Sequence, residues 1–122
     1  MRYLCLVYLE PHALDGLTAG EHAALARESM AYDVTLQQAG HYILAEALKP
    51  TRTATTLRKR DGAVSMTDGP FAETKEVLGG FILIEAPDRE IALRLAGDIP
   101  MAHFGSIEVR PIQDFDESGT GT

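Results

Sequence analysis

Apolar positions along this chain recur with two different periods, and the switches between them mark out its elements. Residues 2–9, Arg2-Tyr3-Leu4-Cys5-Leu6-Val7-Tyr8-Leu9, form an apolar and aromatic run that predicts a first strand buried on at least one face. Thr18-Ala19-Gly20-Glu21 has the form of a capping box, in which the Thr18 hydroxyl accepts a free backbone N–H while Glu21 reaches back. A helix is expected from there over 19–39, with Gly40 suited to the left-handed position that follows a helix end. Leu25, Tyr32, Leu36 and Ala39 share one stripe of this helix, and His22 and Ser29 fall on the same stripe. Two readings of these polar intrusions stand side by side. Either His22 sits in the exposed first turn and Ser29 bonds back to a helix carbonyl, or the stripe borders a pocket.

Residues 41–47 predict a short second strand, ended by Lys49-Pro50. Thr53–Lys59 and Ala63–Thr67, joined through Arg60-Asp61-Gly62, read as a β-hairpin, because Asp-Gly between strand-forming runs favours a tight turn. Residues 78–85 read as a central strand and 87–96 as a second helix, with Ile91, Ala92 and Leu95 on its buried face and Gly97 and Pro100 ending it. Residues 106–112 make the last strand. The order is that of an α+β, ferredoxin-like split βαβ domain with an inserted β-hairpin: an antiparallel sheet carrying two helices on one face. The other face is left bare, and burying it against a second copy predicts a homodimer.

The chain of 122 residues fits one domain, expected over 1–113, followed by an acidic, Gly/Thr/Ser-rich tail over 114–122 whose composition predicts mobility. A net charge of −7 argues against nucleic acid and anionic membrane surfaces as partners, while leaving room for a local basic pocket. No stretch approaches the roughly 20 apolar residues that cross a bilayer. Glu10 and Pro11 follow the first apolar run with no small-residue cleavage site, so the run reads as a strand and not a signal peptide. With one cysteine, Cys5, inside that strand, no disulfide framework is possible and the expected compartment is the cytoplasm. The histidines, His12, His22, His41 and His103, lack zinc-motif spacing, and no phosphate-binding glycine loop appears, so no metal or cofactor is expected. Gly79-Gly80 lies within a strand, where it permits close backbone approach.

Candidate chemistry concentrates in Asp68-Gly69-Pro70-Phe71-Ala72-Glu73-Thr74-Lys75-Glu76. Asp68 and Glu73 near Lys75 and Glu76 could divide acid and base roles if burial separates their pKa values, and His103 could supply proton transfer. Arg58 and Arg110 could grip a carboxylate or enolate. These residues suit proton abstraction or elimination on a small oxygenated, anionic molecule. The alternative is structural: Asp68 caps a turn, Gly69 takes an unusual φ, Pro70 fixes the exit, Phe71 plugs the core, and the charges face water.

This nine-residue segment resembles the signature of the DGPF type of YCII-related proteins. Tyr3-Leu4 with Tyr8, Leu48 and Pro50 before Thr53–Arg58, Leu78-Gly79-Gly80-Phe81, and Glu108-Val109-Arg110-Pro111 extend the resemblance over 1–113. It implies a dimeric α/β barrel, in which two sheets face each other. Broader YCII relatives are thought to use a His–Asp pair near the sheet cleft, and one is a dehydrochlorinase acting on a chlorinated aromatic. The resemblance places that His at Ser29 and that Asp at Ile99, with Asp98 one residue earlier. A serine does not shuttle protons near neutral pH as an imidazole does, so the inherited dyad is absent. Ser29 becomes a ligand-binding candidate alongside Arg58, Phe71, Lys75, Glu76 and Arg110. Relatives also occur beside or fused to extracytoplasmic-function sigma factors, which implies a regulatory protein partner as an alternative role.

Overall fold

The computed structural model describes residues 1–115. Its elements are β1 (Arg2–Leu9), α1 (Ala19–Gln38), β2 (Tyr42–Ala47), β3 (Thr55–Arg60), β4 (Ala63–Asp68), β5 (Val77–Glu85), α2 (Arg89–Gly97) and β6 (Ser106–Pro111), with 3-10 turns at Thr51–Thr53 and Pro100–His103. The four-stranded sheet runs β2-β5-β1-β6, and each neighbouring pair is antiparallel. This is the ferredoxin-like arrangement: β1-α1-β2 and β5-α2-β6 each cross over the strand lying between their ends. Strands β3 and β4 form a separate two-stranded ribbon inserted between β2 and β5.

Local chemistry sets the element boundaries. The Thr18 hydroxyl accepts from the Glu21 N–H at 3.1 Å and the Glu21 carboxylate accepts from the Thr18 N–H at 3.0 Å, closing the capping box that starts α1. Glu21's carboxyl is held below its ordinary value by those bonds. Asp88 caps α2 by accepting from the Ile91 N–H at 2.9 Å. Asp61 (φ 51°) and Gly62 (φ 78°) both take left-handed backbone, the tight turn that matches strand twist.

Alternation along β1 and β5 divides the sheet into two faces. Tyr3, Cys5, Val7, Ile82 and Ile84 are buried beneath the helices, where Leu36, Ala92, Ala96 and Ile99 complete the core. Burial pushes the Cys5 thiol up to about 11, so it behaves as a small apolar group there. The opposite face presents Leu4 beside Leu83 and Leu6 beside Phe81, all half-buried, with Leu44 and Glu46 on β2 in the same rows. The open face of the four-stranded sheet thus carries an apolar band.

Residues 112–114 are tied to the start of β1. Ile112 N–H donates to the Arg2 carbonyl, and Arg2 pairs with Asp114 at 2.6 Å. Of the tail expected over 114–122, residues 116–122 lie outside the described residues.

Candidate functional site: a cleft beneath the first helix

Helix α1 has twenty residues, yet only Leu36 near its C-terminus is buried. The rest of its inward stripe stands off the sheet. The residues below it are small: Ala45, Ala47, Gly79 and Gly80 face Ala26 and Ser29, leaving a cleft of about 420 Å³. Gly80 is obligatory, because a Cβ there would meet the Glu46 carbonyl oxygen at 2.8 Å and Ala47 Cα at 3.3 Å. Gly79 is the extra residue of a bulge, with Val7 opposite Gly80 and Tyr8 opposite Leu78. Val7, Leu9, Leu14, Leu25, Ile82, Ile99 and Met101 make the remaining walls predominantly apolar. This volume falls in the roughly 300–1,000 Å³ range of small-molecule sites.

The polar side chains that border the cleft come from α1. His22, Ser29 and Asp33 share one face of this helix, Ser29 two turns beyond His22 and Asp33 one turn beyond Ser29. Burial raises the Asp33 carboxyl above its ordinary value. Tyr32 also lines the cleft, but its hydroxyl donates to the Leu95 carbonyl at 2.6 Å, and burial with the nearby Asp98 pushes its phenol up to about 12. Tyr32 is therefore a fixed neutral wall that ties α1 to α2. Glu46 contributes to the lining, while its register opposite Phe81 turns its side chain to the bare face.

Of the candidate site residues expected from sequence, Ser29 lies in this cleft. Asp68, Glu73, Phe71, Lys75, Glu76, Arg58, Arg110 and His103 do not line it. Asp68 ends β4 opposite Thr55 and is exposed. Gly69 has φ 101°, and its carbonyl accepts from the Thr56 hydroxyl at 2.8 Å. Arg58 donates to the Phe71 carbonyl at 3.0 Å, so its guanidinium closes the turn. Phe71 does not plug the core: its side chain is 76% exposed. Lys75 pairs with Glu10 at 3.4 Å on the surface, and Glu76 accepts from Ser106 Oγ at 2.9 Å. Glu73 is exposed. His103 lies in a 3-10 turn beside a smaller hollow, of about 240 Å³, with Glu21 and Glu28. Arg110 and Glu108 stand on the bare sheet face near Tyr8, whose phenol is raised by burial and by Glu108 and lowered by Arg110.

The expected charge cluster is thus dispersed over the surface, and its members do not converge on one reacting centre. Asp33 was not singled out from sequence. Its signal was its place four residues after Ser29 and eleven after His22, which keeps all three on one helix face. Among the described residues, no group of three His, Cys, Asp or Glu side chains is placed to hold a metal ion. Likewise, no described helix is long and apolar enough to cross a membrane.

These features define a ferredoxin-like α+β domain with a ligand-sized cleft between its first helix and its sheet. The chain belongs to the YCII-related domain family, whose model matches residues 1–116. It is 37% identical over 114 residues to an uncharacterised protein of Rhizobium meliloti (strain 1021), an alignment covering 92% of each chain. Its fold is similar to that of 5-chloro-2-hydroxyhydroquinone dehydrochlorinase from Burkholderia phenoliruptrix AC1100, solved in complex with 2,5-dihydroxybenzoquinone. That match has a TM-score of 0.55 at 15% identity and covers 98% of this chain and 100% of the other.

Proposed function

We propose that this protein binds a small oxygenated molecule in the cleft beneath α1 and acts as a homodimer joined through its bare sheet faces. The observation that carries the reading is an apolar cleft of about 420 Å³ into which one helix face brings His22, Ser29 and Asp33. Apolar walls with a few convergent polar groups are the usual design of a small-molecule site. The positions to which the family resemblance assigns a His–Asp dyad, Ser29 and Ile99, both line this cleft. The site is then the relatives' cleft with its acid–base pair replaced. Membership of the DGPF type rests on the Asp68–Glu76 signature, which supports the ribbon's base and not the cleft.

An enzymatic reading is favoured by one feature. Asp33 is a carboxyl raised by burial beside a ligand-sized space, the condition under which a carboxylate becomes a useful base. Proton abstraction from an oxygenated ring or chain would then rest on Asp33, with Ser29 donating a hydrogen bond to the substrate oxygen. A regulatory role beside an extracytoplasmic-function sigma factor rests on the family resemblance alone.

The test is a thermal-shift screen of phenols, small carboxylates and lactones against the wild type and Ser29→Phe, whose ring occupies the cleft. Ligands binding only the native state raise the melting temperature by mass action. Shifts seen for the wild type and lost in Ser29→Phe support the site. Equal shifts in both proteins, or none across the library, overturn it.

A further inference from the structure

A second hollow of about 390 Å³ opens beside the first, and the two share Leu9, Leu14 and Gly79 in their walls. They are two lobes of one depression along the β2 edge. Ala47, the last residue of β2, borders the inner lobe and Lys49 the outer one, so two residues of chain, spanning at most roughly 7 Å, separate them. The lobes differ in charge. The inner lobe holds the Asp33 carboxyl and His22 among apolar walls, whereas the outer lobe holds Lys49 and Arg52 together with Glu10 and His12. Glu10 is offset by Lys75 at 3.4 Å, and His12 pairs with Asp15 at 2.8 Å. Neither Lys49 nor Arg52 has an ion-pair partner among the described residues. Arg52 sits in a stiff 3-10 turn after Pro50, braced by the Thr53 hydroxyl and N–H, which both donate to the Pro50 carbonyl at 2.7 and 2.9 Å. Lys49 and Arg52 thus bring two positive charges to one hollow of a chain whose net charge is −7.

We infer that the ligand is an amphipathic monoanion, an apolar, ring-sized body in the inner lobe with a carboxylate or similar anion held by Lys49 and Arg52 in the outer lobe. The inference rests on the cleft reading and adds orientation to it. Asp33 repels an anion placed inward, and the two bases attract one placed outward, so charge fixes the direction of entry. The spacing calls for a short flexible linker between body and anion.

The experiment is isothermal titration of phenylbutyrate and of its neutral amide into the wild type and the Lys49→Gln/Arg52→Gln double variant. Both substitutions are on exposed side chains, and the fold is checked by circular dichroism. The expected result is that the wild type binds the acid at least about tenfold more tightly than the amide. The double variant then binds the acid only as well as the amide, and its amide affinity is unchanged. Equal binding of acid and amide by the wild type overturns the anion site while leaving the cleft intact. A preference for the acid that survives in the double variant also overturns it, because the anion then sits elsewhere. Absence of binding by both compounds overturns the inference, and the library screen of the wild type against Ser29→Phe then separately decides the cleft reading.

Discussion

The guanidinium of Arg58 donates to the main-chain carbonyl of Phe71 at 3.0 Å, and this bond gives the Asp68–Phe71 segment a structural purpose. With the Thr56 hydroxyl on the Gly69 carbonyl, it locks the exit of β4 onto the neighbouring strand β3. Arg58→Ala should cost on the order of 1 kcal/mol, the scale of one ordinary hydrogen bond, because water screens this partly exposed arginine. Amide hydrogen exchange should accelerate at residues 69–72, while ligand binding in the cleft stays unchanged. Loss of cleft binding in this variant would instead tie the signature to the site.

Tyr32 joins the two helices through its hydroxyl on the Leu95 carbonyl at 2.6 Å. Tyr32→Phe removes the donor and leaves that carbonyl without it, which should lower stability by about 0.5–1.5 kcal/mol in urea denaturation. An unchanged denaturation midpoint would mean that the bond adds nothing over water.

Asp33 gives stability a pH dependence of defined sign. Its folded carboxyl is raised by burial, so between the ordinary carboxylate value and the raised one the native state binds more protons than the unfolded chain. Stability therefore falls as pH climbs through that window, and the penalty persists above it. Asp33→Asn should melt higher than wild type at neutral pH, with the gap closing below about pH 4. Melting curves of the two proteins across pH measure it directly, and a gap that widens in acid would reverse the sign.

Leu6 sits beside Phe81 on the bare sheet face. In the proposed homodimer this face is buried, so Leu6→Arg should yield a folded monomer by light scattering, with unchanged far-ultraviolet circular dichroism. A monomeric wild type, or a Leu6→Arg variant that stays dimeric, would place the interface elsewhere or remove it.

The elements were legible because their signals are local. Thr18 with Glu21 and Asp88 ahead of α2 each fix a boundary through bonds made within four residues, and Asp61-Gly62 does so through left-handed backbone angles. Chain order then gave the ferredoxin-like topology. The cleft was only half visible, as polar positions on a helical stripe. Its volume depends on non-local facts: the register that sets Ala45 and Ala47 beside Ile82 and Gly80, the bulge at Gly79, and the stand-off of α1. Charge density drew attention to Asp68–Glu76, but density in sequence says nothing about convergence in space. There Lys75 meets Glu10, Glu76 meets Ser106, and Phe71 faces outward.

Whether the cleft beneath α1 is the binding site is decided by a two-dimensional amide NMR titration of the wild type with a phenol or aryl carboxylate found by thermal shift. Saturable shifts are expected at Ser29, Asp33, Ala47, Gly79 and Gly80, with the Asp68–Glu76 amides unmoved. Shifts confined to Asp68–Glu76, with the residues beneath α1 silent, would contradict this and return the site to the signature.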